Sequence, residues 1–213
     1  FTYHHAGRSI SVQSSLRGKF NVLNTLVALG ILEQLWADMT KAGQSLQFFP
    51  GISGRQEAYY LADVDRYIDF AHTPQGLEHM LEYLQWIKWT GKLWCLFWAP
   101  GMRDQYKRPE MGKVVDSLAD KIVLTDDDAD QEDRYQIIEH VKAGIDREEW
   151  PTYQVIPDRR KAIQYVVDHV EPGDVVLLAG KWHEQVLVTN SGKIPWSDAG
   201  VLHECLELGF TNE

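Results

Sequence analysis

WCLFWAPGMRDQYKRPEMG, Trp94 to Gly112, is the stretch whose reading decides the fold. With Leu93 it opens on a continuous apolar run to Trp98, short enough to be a buried strand and closed downstream by the breaker Pro100-Gly101. Arg103, Asp104, Lys107 and Arg108 then fall within six positions, ahead of Pro109. Proline suits the first turn of a helix, here one continuing through Met111, Val114, Val115 and Leu118. In an open α/β sheet ligands collect just beyond the carboxyl ends of strands. A fixed guanidinium there grips a carboxylate or phosphate through two parallel hydrogen bonds. Standing alone, the loop would read as solvated charge.

The same punctuation recurs along the chain. Val64 to Phe70 reads as a strand followed by Ala71-His72-Thr73-Pro74, and Lys121 to Thr125 as one followed by Asp126-Asp127-Asp128. Tyr153 to Ile156 runs into Pro157-Asp158-Arg159-Arg160, and Asp174 to Leu178 into Ala179-Gly180-Lys181-Trp182-His183-Glu184. Five expected strands thus end in polar residues, and scattered charge would not keep choosing one edge. One cleft assembled from successive strand ends is the expectation.

Outward from that core, Phe20 to Thr40 reads as a helix apolar on most sides and therefore buried, with Asn21 and Asn24 as amides opening it. Lys41 to Ser45 ends it, and Pro50-Gly51-Ile52-Ser53-Gly54 reads as a hinge. Residues 1–54 and 55–213 are thus the expected domains. From Arg55 strands and helices alternate, the mark of a Rossmann-like α/β sheet, mostly parallel and flanked by helices. Helices are expected after His72 and over Asp133 to Ala143, Asp158 to Val170 and Ser197 to Leu208. Val186 to Thr189 and Lys193 to Trp196 read as a hairpin.

Composition narrows the function. The 213 residues carry 11% aromatics and a net charge of −10, which suits a packed chain and argues against a nucleic-acid surface. Cys95 and Cys205 sit in apolar surroundings without metal spacing, as reduced thiols of a cytoplasmic protein would, and no apolar run approaches the ~20 residues of a membrane span. His183-Glu184 lacks the second histidine of the zinc-protease helix, and Asp126-Asp127-Asp128 lacks the spacing and glycine of a calcium loop. His4-His5 reads as a solvated tail, and no metal site is expected.

Six segments in order carry a resemblance to a known family: Gly54-Arg55 with Glu57; Asp69-Phe70-Ala71-His72-Thr73-Pro74; Arg103-Asp104 with Lys107-Arg108-Pro109; Thr125-Asp126-Asp127; Asp158-Arg159; and Ala179-Gly180-Lys181 with His183-Glu184. Together with Gly18, Asn21 and Asn24 they resemble the Mur ligases, of the MurE type. These use ATP and Mg2+ to join an amino acid to UDP-MurNAc-dipeptide in peptidoglycan synthesis. The carboxylate is activated as an acyl phosphate and captured by the incoming amine. The resemblance implies a C-terminal Mur ligase domain preceded by the tail of the central ATP-binding domain, with residue 1 a cut in a longer chain. It places Asn24, Arg55, Asp69 and His72 at ATP, and Arg103, Asp126, Asp127, Gly180 and Glu184 at the acceptor amino acid. No residue of this chain is assigned as catalytic.

The chain also departs from the family pattern. Trp98, Pro100 and Met102 stand where glycines and an acid precede the arginine, and Trp182 replaces a glycine. A domain that has lost catalysis and serves in binding or regulation is the alternative, and a ligase of the folylpolyglutamate or cyanophycin synthetase kind a third reading. In the family, Asp-Asn-Pro-Arg accompanies diaminopimelate, whereas Ala or Asn in the fourth place accompanies lysine. Here Asp126-Asp127-Asp128-Ala129 concentrates negative charge that, with Glu184, favours lysine or ornithine, although Arg134 could fold back and restore a cation.

The 213 residues contain no G-x-x-x-x-G-K-[ST] phosphate loop. Purified chain should therefore show no ATP hydrolysis above background in a phosphate-release assay. Robust turnover, abolished by changing Arg55 or Asp69, would contradict this.

Overall fold

Five short apolar runs, two of them buried at every position, cannot each face water on one side and so stack side by side in the middle of a layered domain. In the computed structural model, which describes residues 1–5, 7–126, 128–148, 152–181, 185–189 and 192–210, the chain forms two compact units, Phe1–Ile52 and Ser53–Glu213.

The larger unit contains a six-stranded sheet in the order β3-β4-β8-β5-β6-β7. These are β3 (Glu57–Leu61), β4 (Val64–Asp69), β5 (Leu93–Phe97), β6 (Lys121–Leu124), β7 (Tyr153–Val155) and β8 (Val175–Ala179). All pairings are parallel except β3 with β4. The five expected strands are present, and β3 is the one that the sequence reading missed. Its turn is Ala62-Asp63, with φ of 53° and 56°. That two-residue geometry is usually advertised by Asn-Gly or Asp-Gly, so no signal pointed to it.

Side chains alternate across the sheet. Val64 and Ile68, Trp94 and Leu96, Val123, and Val176 and Leu178 form one core with α6 (Arg159–His169) and α7 (Asp198–Phe210). The other face carries Tyr67, Cys95, Phe97 and Leu177. On that side are α3 (Pro74–Ile87), α4 (Lys107–Leu118) and α5 (Arg134–Lys142), successive neighbours of one another. Thr73, Asp133 and Asp158 cap α3, α5 and α6 through their side chains. The expected hairpin is β9 (Val186–Thr189) paired with β10 (Gly192–Pro195). Both cysteines are buried free thiols.

The smaller unit pairs β1 (Thr2–His5) with β2 (Arg8–Ser11) against α1 (Lys19–Gln34) and α2 (Met39–Ser45), around Val12, Leu29 and Met39. The single helix expected over Phe20 to Thr40 is two. Trp36 takes a left-handed conformation with φ 60°, and Asp38 starts α2 by accepting from the Thr40 and Lys41 amides at 3.1 and 3.2 Å. Nor is α1 buried all round: Leu29 and Thr25 are covered, but Leu23, Val27 and Ile31 are exposed. Within this unit one short hairpin and one short helix cover a single stripe of it. Among the described residues no helix is long and apolar enough to cross a membrane.

Asp174 fastens the amino-terminal edge of the sheet. Its carboxylate accepts from the Lys92 amide at 2.7 Å, the buried Trp94 indole at 2.8 Å and the Glu171 amide at 3.0 Å. Leaving a buried donor unmet costs about 1–3 kcal/mol. Asp174→Ala should therefore lower unfolding free energy by about 3 kcal/mol or more in urea titration, with Asp174→Asn costing less than half as much. A loss below about 1 kcal/mol for the alanine variant would show that water replaces the carboxylate.

Candidate functional site

The opposite edge is where loops and helix starts converge. After β4, both oxygens of Asp69 are engaged at 2.8 Å, one by the Ala71 amide and one by the Gln56 amide, which ties the entry to β3 onto the strand end. Burial pushes the Asp69 carboxyl above its ordinary range, opposed by these amides and by the charges of Arg55 and His72. The exposed Arg55 guanidinium lies 4.6 Å from the centroid of the Phe70 ring. His72 packs on that same ring at 4.2 Å, with Nδ1 2.8 Å from the Phe70 carbonyl oxygen.

After β5, the loop at Gly101 passes so close to the next strand end that a Cβ there would lie 2.0 Å from the Ala129 carbonyl oxygen. Arg108, fully buried, holds that loop in place. It donates to both oxygens of Glu132 at 2.6 and 2.8 Å and to the Pro100 carbonyl at 2.9 Å, while Glu132 accepts from the Met102 amide at 2.9 Å. The neighbouring Arg103 is exposed and joins no ion pair with a described residue. Lys107 is half-buried, and its ammonium reaches the His72 carbonyl at 3.3 Å. Burial lowers its pKa, as do Arg103 and Arg108, against the opposing charge of Asp104.

Beyond β6 and β8 the acids and the remaining lysine find one another. Asp126 pairs with Arg134 at 2.6 Å. Asp128 accepts from the buried Lys181 ammonium at 2.9 Å and from the Val188 amide at 2.7 Å, and Lys181 also donates to the Val186 carbonyl at 3.0 Å, fixing β9 to the sheet edge. Gly180, with φ 101°, lies under the Trp98 indole, where a Cβ would fall 1.9 Å from Nε1. Beyond β7, Arg159 forms a buried pair with Asp198 at 2.5 and 2.8 Å and donates to the Ala179 carbonyl at 3.2 Å.

Between these loops lies a cavity of about 580 Å³. His72 and Phe70 form one wall; Trp98, Met102, Arg103 and Lys107 another; Gly180, Asp128, Asp130 and Val188 the rest. Of the residues singled out from sequence, the structure thus brings His72, Arg103 and Gly180 together around one space. Asp69 braces the same strand end through its amide bonds, and Arg55 packs on a lining ring. Asp126 does not line the cavity, and Asn24, 3.4 Å from Asn21 on the exposed side of α1, belongs to the other unit. Asp127 and Glu184 lie outside the described residues, as does Trp182. Bulk in the cleft comes instead from Trp98. Asp128 was expected to draw an ammonium of the acceptor and instead holds Lys181, while Lys107 and Lys181 were given no role from sequence, although a lysine after a buried strand and a glycine is a visible signal for Lys181. Among the described residues no group of three His, Cys, Asp or Glu side chains is placed to hold a metal ion.

The profile of the Mur ligase glutamate ligase domain matches residues 54–182. The chain is 36% identical over 200 residues to the UDP-N-acetylmuramoyl-L-alanyl-D-glutamate–2,6-diaminopimelate ligase of Nostoc sp., covering 92% of this chain and 40% of that protein. It is 37% identical over 203 residues to the enzyme of the same name from Synechocystis sp., covering 93% and 39%. A solved structure of such a ligase superposes with a TM-score of 0.72 at 32% identity, covering 93% of this chain and 40% of that one. The chain therefore spans about 40% of the length of the relatives that it matches.

Arg108 holds the Glu132 carboxyl down at about 2, from an ordinary value of 4.5, with the Met102 amide adding to the effect and burial opposing it. A carboxyl whose folded pKa is depressed contributes stability above its unfolded pKa and loses it as pH falls through the folded one. Thermal stability should accordingly fall between about pH 4.5 and pH 2, and Glu132→Gln should fall less over that window while starting lower at pH 6. Parallel melting curves for the two proteins would show that this tie contributes nothing.

Proposed function

The chain belongs to the Mur ligase family, and from that membership and the cleft we propose that it is the carboxyl-terminal part of an ATP-dependent ligase adding the third amino acid to UDP-MurNAc-dipeptide in peptidoglycan synthesis. On this reading the unit Ser53–Glu213 holds the acceptor amino acid, and Phe1–Ile52 is the tail of the central ATP-binding domain. The observation that carries it is the cavity itself. Arg103 faces a space at the carboxyl edge of a parallel sheet, where a planar guanidinium takes a carboxylate in two parallel hydrogen bonds. The starts of α3 and α4 lie on the same edge, and helix amino termini favour anions.

The roles follow from placement. Arg103 anchors the α-carboxylate of the acceptor, and the snug contact of Trp98 with Gly180 shapes the floor on which it rests. His72, Asp69 and Arg55 order the strand end nearest the nucleotide. Family members use ATP with Mg2+, and no described residue of this chain is assigned as a ligand of that ion. What these side chains supply is position and charge, which dominate catalysis when a phosphorylated carboxylate meets an amine.

The charge on which the lysine expectation rests is largely taken up, since Arg134 pairs with Asp126 and Lys181 with Asp128. The relatives are named for 2,6-diaminopimelate, and we assign that diamino acid as the acceptor.

In the full-length parent protein, assayed by phosphate release with UDP-MurNAc-dipeptide, meso-diaminopimelate should give a higher kcat/KM than L-lysine. Arg103→Lys should raise the KM for the acceptor about tenfold or more while leaving the KM for ATP within about twofold, since a lysine cannot reproduce the bidentate grip. Unchanged acceptor kinetics would remove Arg103 from the site, and absence of turnover with every amino acid would favour a binding domain.

A further inference from the structure

Arg108 is fully buried and must place its guanidinium donors within the protein. Nη1 donates to Glu132 Oε1 at 2.6 Å, and Nη2 to Glu132 Oε2 at 2.8 Å and to the Pro100 carbonyl at 2.9 Å. The other contact of Nη1 is Nδ1 of His140 on α5, at 3.1 Å, while Nε meets no acceptor among the described residues. Arginine does not give up its proton in proteins, so it is the donor in that contact and Nδ1 presents its lone pair. The ring is bound in its neutral form, with its proton on Nε2. His140 is half-buried, within reach of solvent protons.

Protonation of Nδ1 sets donor against donor and a second cation beside a buried one. Helix α5 packs on α4, and the charged groups facing the ring are Arg108 from α4 and Glu132 from the loop ahead of α5; Glu139, next in sequence, is taken by Lys142. Glu132 offsets part of the repulsion, but both its oxygens already accept from Arg108 and it cannot replace the lost acceptor. What Arg108 and Glu132 hold is the turn at Pro100 and Met102, directly ahead of the cavity-lining Arg103.

We propose that His140 is a positioning residue for the cleft: its neutral ring fixes Arg108 and, through it, the loop that carries Arg103, and its protonation releases that loop, so that acceptor affinity falls on the acid side. This rests on the reading of the cavity as an acceptor site and adds to it a proton-sensitive support outside the cavity lining.

The test has one arm without ligand and one with it. In NMR titration of the 213-residue chain from about pH 8 to about pH 5.5, a span that brackets histidine titration, the Met102 and Arg103 amide signals should shift with the same midpoint as the His140 ring. In the full-length parent the KM for meso-diaminopimelate should rise about fivefold over that span, as loss of one hydrogen bond to a charged group warrants, with the KM for ATP within about twofold. His140→Asn sets a carbonyl oxygen near the place of Nδ1 and takes up no proton. It should match the unaltered enzyme at about pH 8 and show less than half of the acid-side rise, a comparison that cancels the ionisation of the acceptor itself. His140→Leu, with no acceptor, should have a raised KM at both ends. An equal rise in His140→Asn overturns the proposal, and so do loop amides that stay still while the ring titrates. If those amides follow His140 but the parent turns over no diaminopimelate, the tie of the loop to His140 stands and the ligase reading fails. If the parent joins diaminopimelate with the same pH dependence in His140→Asn, the role of His140 fails and the ligase reading stands.

Discussion

Three buried cations meet carboxylates at the working edge of this domain, and these meetings hold it together. Arg108, Lys181 and Arg159 are almost wholly inaccessible, and each is paired, with Glu132, Asp128 and Asp198 respectively. Taking one partner away would strand a charge at a cost of about 3–5 kcal/mol, far more than an exposed pair contributes. Each pair joins segments that are distant in sequence: the start of α4 to the start of α5, the end of β8 to the loop after β6, and the start of α6 to the start of α7. Loops that would otherwise be free to splay become the fixed walls of a cavity. Binding needs that rigidity, because a carboxylate is gripped only when the donors are already in place.

The same rule explains why adjacent basic residues do opposite things. Arg103 and Arg108 belong to one loop and helix start, yet Arg108 turns inward onto Glu132 and the Pro100 carbonyl while Arg103 stays on the cavity side. The inward arginine fixes the backbone on which the outward one is carried. Gly101 and Gly180 serve the same end, since side chains there would collide with the Ala129 carbonyl and the Trp98 indole. The closed amino-terminal edge, held by Asp174, and the open carboxyl edge, lined by side chains, divide stability from ligand binding along each strand.

Neutralisation also resets what the cleft attracts. Three consecutive aspartates suggest an acidic site that would draw an ammonium. With Asp126 bound to Arg134 and Asp128 to Lys181, the lining charges that join no ion pair with a described residue are Arg103, Lys107 and Asp130, a net positive set. The aspartate side chains act on the protein itself, joining strand ends, and the space between them is left complementary to anions.

The sequence alone determined the parallel strands, the helices between them and the edge at which function collects. Those are properties of short segments: apolar runs that end in polar residues, and Thr73, Asp133 and Asp158 ahead of helices. It also singled out His72, Arg103 and Gly180, which lie in the family-like segments that follow buried strands. Only the tertiary structure decided which charges are spent and which are available. Lys181 and Asp128 are 53 residues apart, and Arg108 and Glu132 are 24 apart, so local spacing carries no record of their choice of partner. The strand β3 and the exposed side of α1 escaped for related reasons. An Ala-Asp turn has no signature in composition, and an apolar helix shows what it is able to bury but not what lies beside it. Periodicity is a local property of the chain, whereas the pairing of charges and faces depends on distances that exist only once the chain has folded.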